Sequence, residues 1–225
     1  MRTNSYYSRK LHSLLGVIPL GAFLIEHMIT NFEAFNSGSE GFQAAVEWLN
    51  SLPLLLFLEI FLIWIPLLYH GVYGLYVAYQ ARHNVTNFGY FRNWMFLLQR
   101  VTGVITFVFV VWHFYDLRFQ VALGNMEHQD FGARMHELAN DPIFFAVYMI
   151  GIVAACFHFA NGMWSFLVSW GITIGPRAQR VSTYIWMGVF VIMSVLFILA
   201  FTAFANEEFA AAAAVQEPMV RSIIG

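Results

Sequence analysis

The chain has 225 residues, 60% of them hydrophobic and 11% charged, with a formal net charge of −2. An ordinary soluble domain carries about 25% charged residues, so this composition excludes a soluble globule and points to a membrane protein. The single cysteine, Cys156, excludes an intrachain disulfide and an intrachain cysteine-built zinc or iron–sulfur site; the lack of a C-x-x-C-H run excludes covalent c-type haem.

About twenty apolar residues cross a bilayer core, and five segments of the chain qualify. The first, Leu11–Asn31, follows Arg2, Arg9 and Lys10 and in that respect looks like a signal peptide. It has no A-x-A-like cleavage site and is long enough to span, so a retained membrane helix is predicted. Pro19 should kink it. The second, Pro53–Gln80, opens on a proline whose missing N–H costs nothing in a first turn, and Pro66 should kink its interior. The third is Phe96–Phe119, the fourth Pro142–Trp170 and the fifth Ser182–Ala205. Residues 206–225, with the Ala-rich stretch Ala210–Val215, are predicted to form a C-terminal tail. Open sheet edges find no water to bond at this depth. The expected fold class is an all-α membrane protein, five transmembrane helices in an antiparallel bundle.

The connecting segments sort by charge. The N-terminus and the 81–95 and 171–181 loops hold Arg2, Arg9, Lys10, Arg82, Arg92, Arg177 and Arg180, without a single Asp or Glu. The other connections gather the acids, from Glu33, Glu40 and Glu47 through Glu127, Asp130, Glu137 and Asp141 to Glu207, Glu208 and Glu217, with only Arg118, Arg134 and Arg221 as basic residues. Lys and Arg remain on the cytoplasmic side, which predicts a cytoplasmic N-terminus and an outside C-terminus.

Four histidines lie inside four different apolar runs: His27, His70, His113 and His158. An ionisable side chain in hydrocarbon costs several kcal/mol unless compensated, so each marks a candidate functional site. Helical rise of about 1.5 Å per residue converts position to depth. His27 and His113 lie late in outward-running helices, His70 and His158 late in inward-running ones. Depth therefore gives an outer pair, His27 with His113, and an inner pair, His70 with His158. A haem with two axial ligands needs histidines at one level, with nitrogens about 4 Å apart. Gly151, Ala154, Ala155 and Gly162 share a face with His158, and Gly74 stands one turn after His70; small residues there would leave room for a flat macrocycle. His12, His83, His128 and His136 fall at helix ends or in loops and receive no ligand role. On the residues alone a different class stays open, a haem-free transporter or structural anchor whose histidines form a proton relay.

Four stretches carry a resemblance: RKLHSLLGVIPLGAFLIEH ending at His27, LEIFLIWIPLLYHGVYGLY around His70, RNWMFLLQRVTGVITFVFVVWH ending at His113, and FHFANGMWSFLVSWGITIGPRAQRVSTY around His158. The chain resembles the b558-type cytochrome b membrane-anchor subunits of succinate dehydrogenase and fumarate reductase, in their five-helix, two-haem, menaquinone-linked class. The resemblance implies His27, His113, His70 and His158 as axial ligands of two b haems, paired as depth pairs them. It implies a multi-pass protein of a bacterial cytoplasmic membrane, one part of a respiratory complex of the tricarboxylic acid cycle. Its partners would be a flavoprotein subunit with FAD and an iron–sulfur subunit, both docked on the cytoplasmic face, besides the lipid bilayer and menaquinone; no nucleic acid is implied. The chain itself would hold no succinate site. An anchor of a menaquinol:fumarate reductase is the alternative of the same class.

Two further expectations concern protons and haem side groups. Quinone reduction consumes two protons, and a carboxylate in the membrane can deliver them. Glu26 adjoins His27 and so points about 100° away from it, whereas Glu59 lies three turns before His70 at the outer level. Glu59 is therefore the candidate proton donor. Arg100 is the candidate propionate contact, ahead of Arg9, Lys10, His12 and Ser13. Some members of the family carry a carboxylate two residues before the last ligand; here that position is Cys156.

Overall fold

The structure, a computed structural model, describes residues 2–214, with side chains placed for residues 6–210. Among these residues every regular element is helical. In chain order they are α1 (Arg2–Val17), α2 (Pro19–Asn36), α3 (Gly38–Asn50), α4 (Leu55–Leu58), a π-helical segment (Glu59–Trp64), α5 (Ile65–Gln80), α6 (Phe91–Asp116), α7 (Arg118–Ala122), a short 3-10 turn (His128–Asp130), α8 (Phe131–Asn140), α9 (Pro142–Ser169), α10 (Pro176–Ala203) and α11 (Glu207–Ala214). Five stretches are long and apolar enough to cross a membrane: Tyr6–Asn36, Leu55–Gln80, Phe91–Ala122, Pro142–Ser169 and Pro176–Ala203. Many large apolar side chains on them are exposed, among them Leu68, Val108, Ile150 and Ile192, as helices surrounded by lipid require.

The prolines act where their chemistry dictates. Pro19 opens α2 after a break at Ile18, yet Ile18 N still donates to Leu14 O and Ala22 N to Ile18 O, so the first span runs through. Pro66 stands two residues after the end of the π segment, in the first turn of α5. Its ring would crowd the carbonyl four residues back, and a widened turn relieves that clash. Pro53 stands in the turn before α4 rather than inside a helix, beside Leu54 in the left-handed region at φ 58°. Pro142 takes the first position of α9, capped by Asp141, whose Oδ1 accepts from Ile143 N at 2.8 Å and Phe144 N at 3.1 Å. The first, third and fifth spans reach beyond the apolar runs, because Arg9 and Lys10, Arg92, and Arg177 and Arg180 continue a helix where hydropathy stops.

The chain divides into two compact units. One comprises Met1–Ile25, Leu56–Val108 and Gly151–Ser194. Here α1 packs along α5, and Cys156, Ala160 and Asn161 of α9 are buried. Asn161 Nδ2 donates to Gln99 Oε1 at 2.7 Å, and Trp164 Nε1 to Gln179 O at 3.0 Å.

The other unit comprises Glu26–Leu55, Phe109–Ile150 and Val195–Gly225, of which residues 215–225 lie outside the described residues. The predicted tail is thus covered as far as α11, while Glu217 and Arg221 fall beyond. Three short amphipathic helices that the hydropathy pattern does not announce, α3, α8 and α11, pack together here. Phe42, Leu138, Phe204 and Phe209 form their core, with Phe42–Phe204 and Phe204–Phe209 ring centroids 4.9 and 4.8 Å apart. Arg134 on α8 clamps Asp116 at the end of α6 through two bonds of 3.0 and 2.8 Å and also reaches Glu137. The Asp116 hydrogen bonds hold the Arg134 guanidinium above its ordinary pKa. Arg134→Met should lower the stability of the solubilised protein by about 1–3 kcal/mol, read as an earlier thermal transition; an unchanged transition would leave the clamp without energetic weight.

Candidate functional site

The inner pair forms from α5 and α9. His70 and His158 have ring centroids 6.1 Å apart at an interplanar angle of 83°. His70 Nδ1 lies 2.8 Å from the carbonyl of His12, and His158 Nδ1 lies 3.0 Å from the carbonyl of Gln99. The Gln99 Nε2 amide, 3.2 Å from His158 Nδ1, donates to the His158 carbonyl at 3.0 Å. A carbonyl can only accept, so both Nδ1 bonds require Nδ1–H and leave a lone pair on each imidazole Nε2. That is the tautomer in which a histidine binds metal through Nε2 while its other nitrogen is tied down.

Each of these carbonyls belongs to a helix residue followed one turn later by glycine, His12 by Gly16 and Gln99 by Gly103. A Cβ on Gly16 would collide with the His70 ring, and one on Gly103 would lie 2.7 Å from His158 Cε1. The glycines let each imidazole approach a helix backbone. A second matched pair lies behind them. Gly74 makes room for His12, whose ring stacks on His70 at 4.0 Å and 14°, and Gly162 makes room for Gln99. Gly74 and Gly162 thus lie against these supporting side chains. His12, expected from sequence at a helix end, sits inside α1 against a candidate ligand.

The outer pair forms from α2 and α6. His27 and His113 have ring centroids 5.9 Å apart at 76°. Tyr148, only 3% exposed, holds its hydroxyl 3.0 Å from His113 Nδ1 and donates to Met135 Sδ at 3.4 Å. A hydroxyl that donates to sulfur is free to accept from Nδ1–H, an arrangement that leaves Nε2 as the lone-pair nitrogen. Phe201 stacks on Tyr148 at 4.4 Å and 5° and fixes its plane. Asn31 Nδ2 lies 3.4 Å from both ring nitrogens of His27 and donates to its carbonyl at 2.8 Å.

Both separations suit one purpose. Two metal–nitrogen bonds of about 2 Å each, plus roughly 1 Å from each nitrogen to its ring centre, place coaxial imidazoles about 6 Å apart. Among the described residues no cluster of three or more His, Cys, Asp or Glu suited to a metal ion occurs. A pair of imidazoles could hold a metal whose remaining ligands come with it, as in haem. Two buried polar atoms in the first unit, His12 Nδ1 and Arg100 Nε, have no protein partner and could serve anionic side groups of such a cofactor.

The remaining candidates fall as follows. Arg100 curls over the Phe96 ring at 3.2 Å and donates through Nη1 to Phe96 O. Lys10 Nζ is bonded to Ser169 O, and Ser13 Oγ accepts from Trp170 Nε1 at 3.1 Å. Glu59 is half-buried and begins the π segment. Glu26 accepts from Thr30 Oγ1 at 2.6 Å. Cys156 is fully buried. His83 is exposed, His128 packs edge-on against Phe131, and His136 Nδ1 lies 2.9 Å from Phe204 O.

The family described as "Succinate dehydrogenase/Fumarate reductase transmembrane subunit" matches residues 82–199. The succinate dehydrogenase cytochrome b558 subunit of Bacillus subtilis (strain 168) is 46% identical over 199 residues, covering 88% of this chain and 96% of that protein. An apolar five-span chain, two facing histidine pairs and this extent of identity lead to one assignment: the chain belongs to the family of succinate dehydrogenase/fumarate reductase cytochrome b membrane subunits.

Proposed function

We propose that this chain is the dihaem membrane anchor of a succinate:menaquinone oxidoreductase, conducting electrons from cytoplasmic flavoprotein and iron–sulfur subunits to menaquinone. The observation that carries the reading is the pair of histidine couples near 6 Å, with three of the four Nδ1 atoms within hydrogen-bond distance of a protein oxygen. His27 and His113 would hold one b haem, His70 and His158 the other. Bound there, haem supplies a one-electron iron couple.

The protein's share is positioning and insulation. The carbonyls of His12 and Gln99 and the hydroxyl of Tyr148 fix tautomer and ring plane. The surrounding apolar helices keep water away from those nitrogens. Arg100 offers a guanidinium to a propionate, its buried Nε being the supporting observation. Glu59 is proposed to hand a proton to quinone. It starts a π segment, a local geometry frequent at functional sites. Retention of Lys and Arg on the cytoplasmic side supports a cytoplasmic N-terminus and partner docking against the Arg-rich loops. The family description names both enzymes, so a menaquinol:fumarate reductase remains the second reading; preparations reduced by succinate and by a menaquinol analogue separate the two directions.

Haem extraction and a reduced-minus-oxidised spectrum of the purified complex test the assignment. Two b haems per copy of this chain are expected, reducible by succinate. No b-type α band would sink it, and one haem per chain would remove a histidine pair from the proposal.

A further inference from the structure

Away from the histidines, a cleft of about 460 Å³ lies at the N-terminal ends of α6 and α10, lined by Phe91, Arg92, Gln179, Arg180, Thr183 and Tyr184. Its lining carries two guanidinium groups and, among the described residues, no carboxylate. The flanking 81–95 and 171–181 segments contain no Asp or Glu either, so no acid side chain of those segments neutralises it.

Arg92 is held in place rather than swinging in solvent. Its guanidinium lies 3.6 Å from the centre of the Trp164 ring, and Nη2 donates to Thr183 Oγ1. Thr183 in turn donates to Gln179 O at 2.8 Å, and Trp164 Nε1 donates to the same carbonyl. Nη1 is shielded from solvent and has no acceptor. No carboxylate of the cleft cancels the guanidinium charge, which therefore adds to the positive potential of the space it lines. The first turn of α10, a helix of 28 residues, adds N–H groups without intrahelical partners and the positive end of a helix dipole.

The place decides which anion. Both helices begin a membrane span here, and Phe91 and Tyr184 at the rim are 53% and 72% exposed, as aromatic side chains at a membrane–water interface are. Free phosphate has no use for an apolar rim, whereas a lipid fills it with its glycerol and upper acyl carbons. Basic pockets between membrane helices bind anionic headgroups. We propose that this cleft binds the headgroup phosphate of an anionic phospholipid, with Arg92 and Arg180 as its cationic partners.

The test uses the intact complex, delipidated in neutral detergent and titrated with phosphatidylglycerol or phosphatidylcholine, with thermal transition and lipid retained in native mass spectrometry as readouts. Phosphatidylglycerol should raise the transition and phosphatidylcholine should not. Arg180→Gln, on an exposed side chain that does not threaten folding, should weaken phosphatidylglycerol binding about tenfold, and Arg92→Gln at least as much. Equal binding by wild type and Arg180→Gln would overturn the site. Equal stabilisation by millimolar inorganic phosphate would overturn the lipid assignment. Loss of another subunit from the Arg180→Gln complex, with lipid binding intact, would make the cleft a protein interface instead.

Discussion

Replacing His70 or His158 with leucine should abolish one b-type absorbance and leave the other, and replacing His27 or His113 should do the reverse. Each pair lies within a single compact unit, His70 with His158 in one and His27 with His113 in the other. The partners face each other at 6.1 and 5.9 Å. A leucine offers no lone pair, so the axial bond supplied by the imidazole would be lost. Haem content should fall from two to one per chain, with the surviving spectrum and midpoint potential close to wild type. Redox titration of all four variants provides the check. Loss of both haems from any one of them would point to failed assembly, which retention of five spans by protease mapping would separate from ligand loss. If the His27 variant retained both haems, the pairing would be wrong.

The spans were legible because a bilayer demands long apolar runs, and the histidines because polar residues in those runs are expensive. Pairing by depth needed only helical rise and the charge of the loops. The short helices α3, α8 and α11 escaped because they lie outside the apolar runs and bury one narrow stripe each, although the four-residue spacing of Phe42 and Val46 is the amphipathic signal that marks α3. Tyr148 escaped for another reason. One tyrosine among the 10 in the chain carries no spacing signal, and only the fold brings its hydroxyl to His113. His12 is expected at a helix end because it stands near the start of an apolar run, whereas the helix extends well before that run begins. Most of the inner site's supporting pattern was present as a repeated text, polar residue then glycine one turn later. Gly16 follows His12 and Gly103 follows Gln99, as Gly74 follows His70 and Gly162 follows His158. Glycine is common in membrane helices for plain packing, so the repeat becomes meaningful only once the rings are seen lying against it.

That repeat leads to the second large effect: valine at Gly16 or Gly103 should eliminate the inner haem while leaving the helices and the outer haem in place. Away from any ring, a side chain in place of helical glycine favours the helix, by up to about 1 kcal/mol for alanine, so backbone damage is not the expected mode of failure. What fails is the approach of the imidazole. A Cβ at Gly103 would lie 2.7 Å from His158 Cε1 and 3.0 Å from its Nδ1. The ring cannot yield while keeping its 3.0 Å bond to the Gln99 carbonyl. At Gly16 the intrusion on the His70 ring is closer still. Displacing the ring breaks the Nδ1 hydrogen bond and swings Nε2 off the axis, and loss of such outer partners alone typically costs about 10–100-fold in metal affinity. Alanine at either position should reduce inner haem occupancy, and valine, with two further methyl groups, should remove it. Gly188→Ala is the matched control, since a Cβ there meets nothing within 4 Å; it should keep both haems. Wild-type inner haem in Gly103→Val would mean that the backbone cradle does not position His158, whatever the iron ligands prove to be.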